Sequence, residues 1–323
     1  MSIKIYSNNN TLNTLNSMLQ SNRLAHSFLL YGDSGMGKKT IAKYFAMSLI
    51  CENSQNTPCQ HCVACKNILN NNHPDVIWVE HSGKLQGFSA ETVRNICSDA
   101  FVTPNNANKK IYIFADADNI TIQAQNALLK LVEEPPNFTY FIFTAKAKNV
   151  FLPTIISRII SLGVSECTEA ECRLALEERG FLNDDIDDAI SCFHGNIGLC
   201  ISYIQDEKLQ EIVKLTKAIT NAIINRNEYE LTVGFAVVEN DRIMAKTALT
   251  LLDKQFHDVL TAKFTDRFIG CYPIGSKKLS QKITSSSCEE LHLLVRNAMS
   301  QIDSNVNLKL ILSTLCGEII NAT

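Results

Sequence analysis

The stretch "GDSGMGKKT" most restricts what this chain can fold into. Gly32 and Gly37, followed by Lys38, have the spacing G-x-x-x-x-G-K, between an apolar strand pattern, "SFLLY", and a helical pattern that runs to Ile50. The glycines let backbone N–H groups surround a phosphate, the helix N-terminus adds positive potential, and Lys38 can reach the terminal phosphates. The stretch therefore predicts a phosphate loop in an α/β domain.

The residue after this lysine departs from the pattern. Phosphate-loop ATPases carry a Ser or Thr there, whose hydroxyl binds Mg²⁺, but this chain has Lys39. An ammonium cannot ligate a metal and repels one. Thr40 is a poor substitute, because one residue along a helix turns the side chain by about 100°. Whether the loop still holds a nucleotide or is vestigial stays open, and efficient hydrolysis is not expected.

A second apolar strand pattern, "KIYIFADADNI", tests the same question. ATPases of this kind place a metal-ordering Asp, often followed by a water-positioning Glu, at the end of such a strand. Here the two positions are Ala115 and Asp116, or, one residue later, Asp116 and Ala117. Both registers lack one of the two groups. The degenerate nucleotide site would then comprise Gly32, Gly35, Gly37, Lys38, Lys39, Thr40 and Asp116.

Strand and helix patterns alternate over residues 26–162, which predicts a parallel sheet covered by helices. The strands are "SFLLY", "DVIWVE", "KIYIFA", "TYFIFTA" and "IISLG". From about Val164 onward the patterns are helical. We therefore expect an α/β domain at 1–164, a small helical domain at 165–205 and an all-helical domain at 206–323.

Four of the twelve cysteines are bunched within residues 51–65, and the other eight are scattered, as is usual for small buried side chains. The bunched ones have the spacing C-x7-C-x2-C-x2-C, which is typical of a closed, structural tetrahedral zinc site. An iron–sulfur cluster and reduced free thiols are the alternatives. The predicted metal ligands are Cys51, Cys59, Cys62 and Cys65.

The charge and hydropathy of the chain restrict its partners. A net charge of -3 provides no global basic field, so contact with nucleic acid must be local or supplied by partner subunits. Lys109 and Lys110 precede a strand; we interpret them as a solvated strand entry, and contact with a DNA backbone is the alternative. No apolar run approaches the roughly 20 residues that span a bilayer, and we expect a cytosolic protein without a membrane partner.

Several of these stretches together resemble a known family. The order of "HSFLLYGDSGMGKKT", the cysteine insert, "HPD" at residues 73–75, "NALLKLVEEPP" at 126–136 and "LPTIISR" at 152–158 resembles bacterial clamp-loader ATPase subunits, and among them the delta-prime type of the DNA polymerase III holoenzyme. The likeness is detailed over residues 24–162.

The resemblance implies an AAA+ module with a RecA-like sheet, a helical lid and a helical collar domain for oligomerisation. Five such subunits, here with gamma/tau and delta as neighbours, form an open ring that loads a sliding clamp onto primer–template DNA. The delta-prime type hydrolyses little or no ATP, and in this chain we expect binding of ATP or ADP to be weak or absent. It presents an arginine to the nucleotide of a neighbouring subunit.

The matching arginine is Arg158, although Ile159 follows where the family usually has Cys. The lid position that carries a phosphate-sensing arginine in hydrolysing relatives corresponds to Gly198. Glu133 and Glu134 suggest acid/base chemistry, but adjacent helix residues point about 100° apart and form no pair. Two alternatives remain: a working gamma/tau-like ATPase in which Asp116 and Thr40 rescue magnesium binding, and a zinc-dependent nucleic-acid-binding protein with a relict fold.

Overall fold

The computed structural model describes residues 3–21, 24–53, 57–81, 87–262, 264–265 and 268–323. Part of the predicted cysteine insert, residues 54–56, lies outside these ranges. The chain divides into two compact units, Met1–Glu171 and Cys172–Thr323. The division into three domains at 164 and 205 stays a prediction.

The first unit is built on a parallel sheet, whose strands in the described ranges have the order β2-β3-β4-β1-β5. All five predicted strands are confirmed, and the helices between them begin and end near their sequence signals. The strands are β1 (Ser27–Tyr31), β2 (Val76–Trp78), β3 (Lys110–Phe114), β4 (Thr139–Ala145) and β5 (Ile160–Gly163). The helices are α1 (Asn9–Gln20), α2 (Lys38–Ile50), α3 (Val63–Leu69), α4 (Ala90–Asp99), α5 (Ile122–Glu133) and α6 (Pro153–Ile156), and α7 (Glu169–Glu177) crosses the boundary.

Alternation along the strands supplies two cores, because successive side chains of a strand point to opposite faces of the sheet. On β3, Tyr112 and Phe114 pack into the core shared with α4, α5 and α6. Ile111 and Ile113 of the same strand pack into the core shared with α1, α2 and α3. The sheet is therefore covered by helices on both faces, as expected of an AAA+ module.

Turn chemistry explains where the two helices that matter most for the site begin and end. Thr121 caps α5 by accepting a hydrogen bond from the Ala124 amide at 3.1 Å. The helix ends at Glu133, because Pro135 follows shortly and disfavours helical backbone before it. Pro153 opens α6 at the first helical position, where a missing N–H costs nothing.

The second unit contains helices and the loops that join them, and no strand, among its described residues. One large apolar core joins helices between Leu215 and Ala322. Seven of the eight scattered cysteines are buried as expected, whereas Cys97, in the first unit, is half-buried. The helices are α8 (Asn183–Phe193), α9 (Ile197–Gln205), α10 (Glu207–Asn225), α11 (Glu228–Ala236), α12 (Arg242–Thr261), α13 (Pro273–Ser280), α14 (Ser285–Asp303) and α15 (Leu308–Ala322). No helix in the described ranges has the length and apolar character needed to cross a membrane.

Candidate nucleotide site and metal centre

The phosphate loop connects the end of β1 to the start of α2, at the edge where the carboxyl ends of the parallel strands meet. Ligands of open α/β sheets bind at this edge. Gly37 has φ of 83° and Gly35 has φ of 86°, a left-handed conformation that side chains rarely adopt. Gly32 is required for space, because a Cβ there would lie 2.2 Å from the carbonyl oxygen of Val164.

Lys38 is buried and folds back over the loop. Its Nζ donates hydrogen bonds to the carbonyl oxygens of Gly32 at 2.5 Å and Asp33 at 2.7 Å. Burial lowers the pKa of Lys38, and the negative charges of Asp116 and Asp118 partly oppose this effect. The loop thus has the shape and the cation of a phosphate site.

Lys39 pairs with the acidic residue that follows β3. Its Nζ lies 2.5 Å from Oδ2 of Asp116, and both side chains are about half exposed, at 56% and 48%. The Asp116 backbone, at φ of 50°, donates its N–H to the Thr144 hydroxyl on β4 at 2.8 Å. Ala115 is buried and Thr40 is exposed. The acidic residue that follows β3 is therefore neutralised by an ammonium.

These residues do not fit Mg²⁺. The ion takes oxygen ligands in near-octahedral geometry, usually carboxylates and hydroxyls. Here the hydroxyl position carries Lys39, and the Asp116 carboxylate is already paired with that lysine. A cation brought to this carboxylate would meet the ammonium, so no step of chemistry through magnesium follows from this site.

The four bunched cysteines come together. Their Sγ atoms all lie within 4.8 Å of one another, and this is the group of potential metal ligands found among the described residues. A tetrahedral zinc site with Zn–S bonds of about 2.3 Å requires sulfur separations of about 3.8 Å, so a small contraction suffices. His61 is exposed and is not part of the group. The cluster has the donor set of a closed structural site.

Backbone amides point at several of these sulfurs, as they do around metal-bound thiolates. The amide of Cys59 donates to Cys51 Sγ at 3.3 Å, that of Cys62 to Cys59 Sγ at 3.4 Å, and that of Cys65 to Cys62 Sγ at 3.4 Å. The amides of His61 and Cys62 lower the pKa of Cys59 to about 6, whereas burial raises the pKa of Cys51 and Cys65. A bound metal would deprotonate all four.

Arg158 follows α6, and its side chain is 40% exposed. Its Nε lies 2.8 Å from Oε1 of Glu133, and its Nη1 donates to the Thr154 carbonyl oxygen at 2.8 Å and to the Ser157 hydroxyl at 3.2 Å. Gly198, in contrast, is the second residue of α9 and brings no charge. Sequence reasoning singled out the arginine but missed its acidic partner.

The "HPD" stretch has a structural task that sequence reasoning also missed. Asp75 is completely buried, and its carboxylate accepts hydrogen bonds from the amides of Asn105, Asn106 and Ala107 at 2.6, 2.7 and 2.9 Å. His73 Nδ1 accepts from the Asp75 amide at 3.1 Å. The carboxylate therefore fixes the loop that leads into β3. In the sequence, a single Asp directly before an apolar strand was the feature that could have indicated this buried carboxylate.

Comparison with known proteins adds a family likeness to the first half of the chain. Residues 7–167 match the family described as DNA polymerase III, delta subunit. The chain is 34% identical over 146 residues to the DNA polymerase III subunit tau of Bacillus subtilis, which covers 45% of this chain and 25% of that protein. It is 33% identical over 144 residues to the delta-prime subunit of the same organism, covering 45% of this chain and 43% of the relative.

The matched stretch thus spans less than half the length of these relatives. Among solved structures, a DNA polymerase III gamma subunit-related protein from Thermotoga maritima aligns with 95% of this chain and 98% of its own. The sequence identity is 17% and the TM-score is 0.43. A likeness of this size carries no argument of its own.

Proposed function

We propose, on the premise that residues 7–167 are those of a bacterial DNA polymerase III clamp-loader subunit, that the chain is a delta-prime-like stator. In this role it hydrolyses little or no ATP itself and supplies Arg158 to the nucleotide of a neighbouring ATPase subunit. Its partners would be gamma/tau and delta subunits in a hetero-pentamer, the sliding clamp, and primer–template DNA reached through the complex. Such a protein would work in the cytoplasm, within a nucleotidyltransferase complex.

The contact between Lys39 and Asp116 carries this proposal. Hydrolysis of a phosphoanhydride needs a cation that neutralises the developing charge, and this site has an internal ion pair in its place. Any ATP or ADP held by Lys38 and the glycines would bind weakly and would not turn over. Gly198, at the lid position where hydrolysing relatives carry a phosphate-sensing arginine, also favours a chain that does not hydrolyse ATP.

An exposed arginine suits a task across a subunit boundary. A guanidinium is always charged and offers a planar fork to phosphate oxygens. Arg158 is 40% exposed and lies on the first unit's surface, where a neighbouring subunit's phosphate could reach it. The cysteine cluster would hold Zn²⁺, which would stabilise the knuckle between α2 and α3 and leave no open position for catalysis.

Reconstitution with the partner subunits tests the proposal. We expect Arg158→Ala to fold and assemble but to lower turnover at the neighbouring site by about 10³-fold, the usual worth of an arginine finger. Complex formation by size-exclusion chromatography is the control for assembly. Unchanged turnover in an assembled complex would exclude the role in trans.

A hydrolysing gamma/tau-like subunit is the second candidate, because the tau subunit is as similar to this chain as delta-prime is. In that case Asp116 and Thr40 would serve the metal after Lys39 moves aside. Turnover by the isolated chain separates the two. Steady Mg²⁺-dependent hydrolysis that Lys38→Ala abolishes would favour the second candidate.

A further inference from the structure

We propose that Glu133 is a positioning residue for Arg158, and that it orients the guanidinium for a phosphate outside the chain. The inference rests on the proposed function. Glu133 is the last residue of α5, and Arg158 comes two residues after the end of α6, so the pair joins two separate helices. The Nε to Oε1 distance is 2.8 Å.

Two nitrogens of the Arg158 guanidinium have partners within the chain, and the third is left as a donor. Nε is held by Glu133, and Nη1 is held by the Thr154 carbonyl oxygen and the Ser157 hydroxyl. Among the hydrogen bonds of the described residues, none uses Nη2. Because the guanidinium is planar, fixing two of its nitrogens fixes the direction of the third. Nη2 is thus the donor left for a phosphate oxygen.

The two helices that carry the pair are fixed to each other. Gln125 of α5 is buried, and its side-chain amide donates to the Val150 carbonyl oxygen at 3.0 Å and accepts from the Leu152 amide at 2.7 Å. Ile155 of α6 is completely buried in the same core as α5. The Glu133 carboxylate is therefore carried by a helix that is fixed relative to the segment before Arg158, and a positioning role requires such support.

The pair leaves room for a phosphate and contributes modestly by itself. Both side chains are well exposed, at 40% and 44%, and exposed ion pairs are screened by water and salt. A phosphate oxygen that binds Nη2 leaves the contact between Nε and Glu133 in place, so the carboxylate still orients the guanidinium. We expect its loss to lower the turnover that Arg158 supports by about 2- to 5-fold, the range of an exposed pair.

Glu134 provides a matched control on the same helix end. It is the next residue, it is exposed, and it lies just past the end of α5, where the backbone is no longer helical. In the reconstituted complex, Glu133→Ala should lower kcat at the neighbouring site by about 2- to 5-fold with little change in KM, because orientation acts on the transition state. Glu133→Gln should retain more activity, since its Oε1 still accepts from Nε. Glu134→Ala should match the wild type.

Salt provides a readout that a merely structural role would not move. As ionic strength rises, the wild-type advantage over Glu133→Ala should shrink towards one, because the pair is screened. Thermal unfolding checks that the variants are folded, and if Glu133→Ala is not, Glu133→Gln replaces it in the kinetic comparison and in the salt series.

The proposal is overturned if Glu133→Ala has unchanged or higher kcat, or if Glu134→Ala loses as much. Arg158→Ala in the same assay distinguishes failure of the proposed function from failure of the positioning role. If it leaves turnover unchanged, the proposed function fails. If it abolishes turnover while Glu133→Ala has no effect, only the positioning role fails.

Discussion

The Nζ of Lys39 lies 2.5 Å from Oδ2 of Asp116, so the residue after the phosphate-loop lysine pairs with the acid that follows β3. In the register that makes Asp116 the metal-ordering acid, a working ATPase would join the same two positions through a metal ion. In this chain the two side chains form a direct ion pair, which needs neither metal nor nucleotide.

Replacing Lys39 should restore a response to magnesium. In the wild type we expect Mg²⁺ to leave the binding of a fluorescent ADP analogue unchanged relative to EDTA. Lys39→Ser frees Asp116 and supplies a hydroxyl, so Mg²⁺ should then strengthen binding on the order of tenfold, which corresponds to about 1.4 kcal/mol. Lys39→Ala, which removes the ammonium without adding a ligand, is the control. A wild-type protein that already requires Mg²⁺ would contradict the prediction.

Metal content tests the cysteine cluster. Protein purified without added metal should contain close to one zinc per chain by elemental analysis. Cys65→Ser should lose most of the metal and lower the thermal midpoint by about 5 °C or more, because ligand loss removes binding energy from the folded state. Cys97→Ser, at a half-buried thiol outside the cluster, should keep its zinc. An equally stable metal-free wild type would exclude the site.

Asp75 should make the first unit sensitive to acid. Burial alone would raise its pKa, but three backbone amides outweigh that effect and hold the pKa below the usual 3.8. Its contribution is therefore complete above that value and is lost as pH falls through the lower folded-state pKa. Asp75→Asn should cost about 2 to 3 kcal/mol in urea unfolding near pH 7. Its deficit relative to wild type should shrink in strong acid.

The exposed Glu80 is a suitable control for Asp75. We expect Glu80→Gln to unfold at the same urea concentration as the wild type, within about 0.5 kcal/mol. If Asp75→Asn were equally neutral, the carboxylate would not be what fixes the loop before β3.

Gln125 should matter for the segment that carries the arginine. Gln125→Leu leaves the Leu152 amide without its acceptor and should cost about 1 to 3 kcal/mol. Amide hydrogen exchange should rise over residues 148–158, and turnover of the reconstituted complex should fall. Gln123→Leu, at an exposed position of the same helix, should change neither. Unchanged exchange in Gln125→Leu would show that the segment is held by packing alone.

Local patterns were sufficient to predict the sheet and the loop. Apolar runs bounded by turn residues identified every strand, and the glycine spacing with Lys38 identified the turn after β1. The cysteine spacing predicted that the four thiols would meet. Each of these features is encoded by residues that lie close together in the chain. Such local patterns can be recognised in a single sequence.

Contacts between distant residues were not predictable in the same way. Lys110 was expected to be solvated, and this is wrong: it is 4% exposed, and its Nζ lies 2.9 Å from the Asp99 carboxylate. The backbone of Asp116 is held by Thr144, a β4 residue whose hydroxyl accepts a hydrogen bond from the Asp116 amide. Glu133 was assessed only against its neighbour in sequence, whereas its partner is Arg158. In each case the deciding atom lies on another element.

Gly32 shows that the phosphate loop also has a structural requirement of its own. The space for a side chain at this position is taken by the backbone of Val164, where the chain leaves β5. Any larger residue would force the two segments apart, whether or not a phosphate ever arrives. The close packing of the loop against β5 thus requires a glycine here, independently of any ligand. A chain without catalytic activity would still need the same glycine in order to fold.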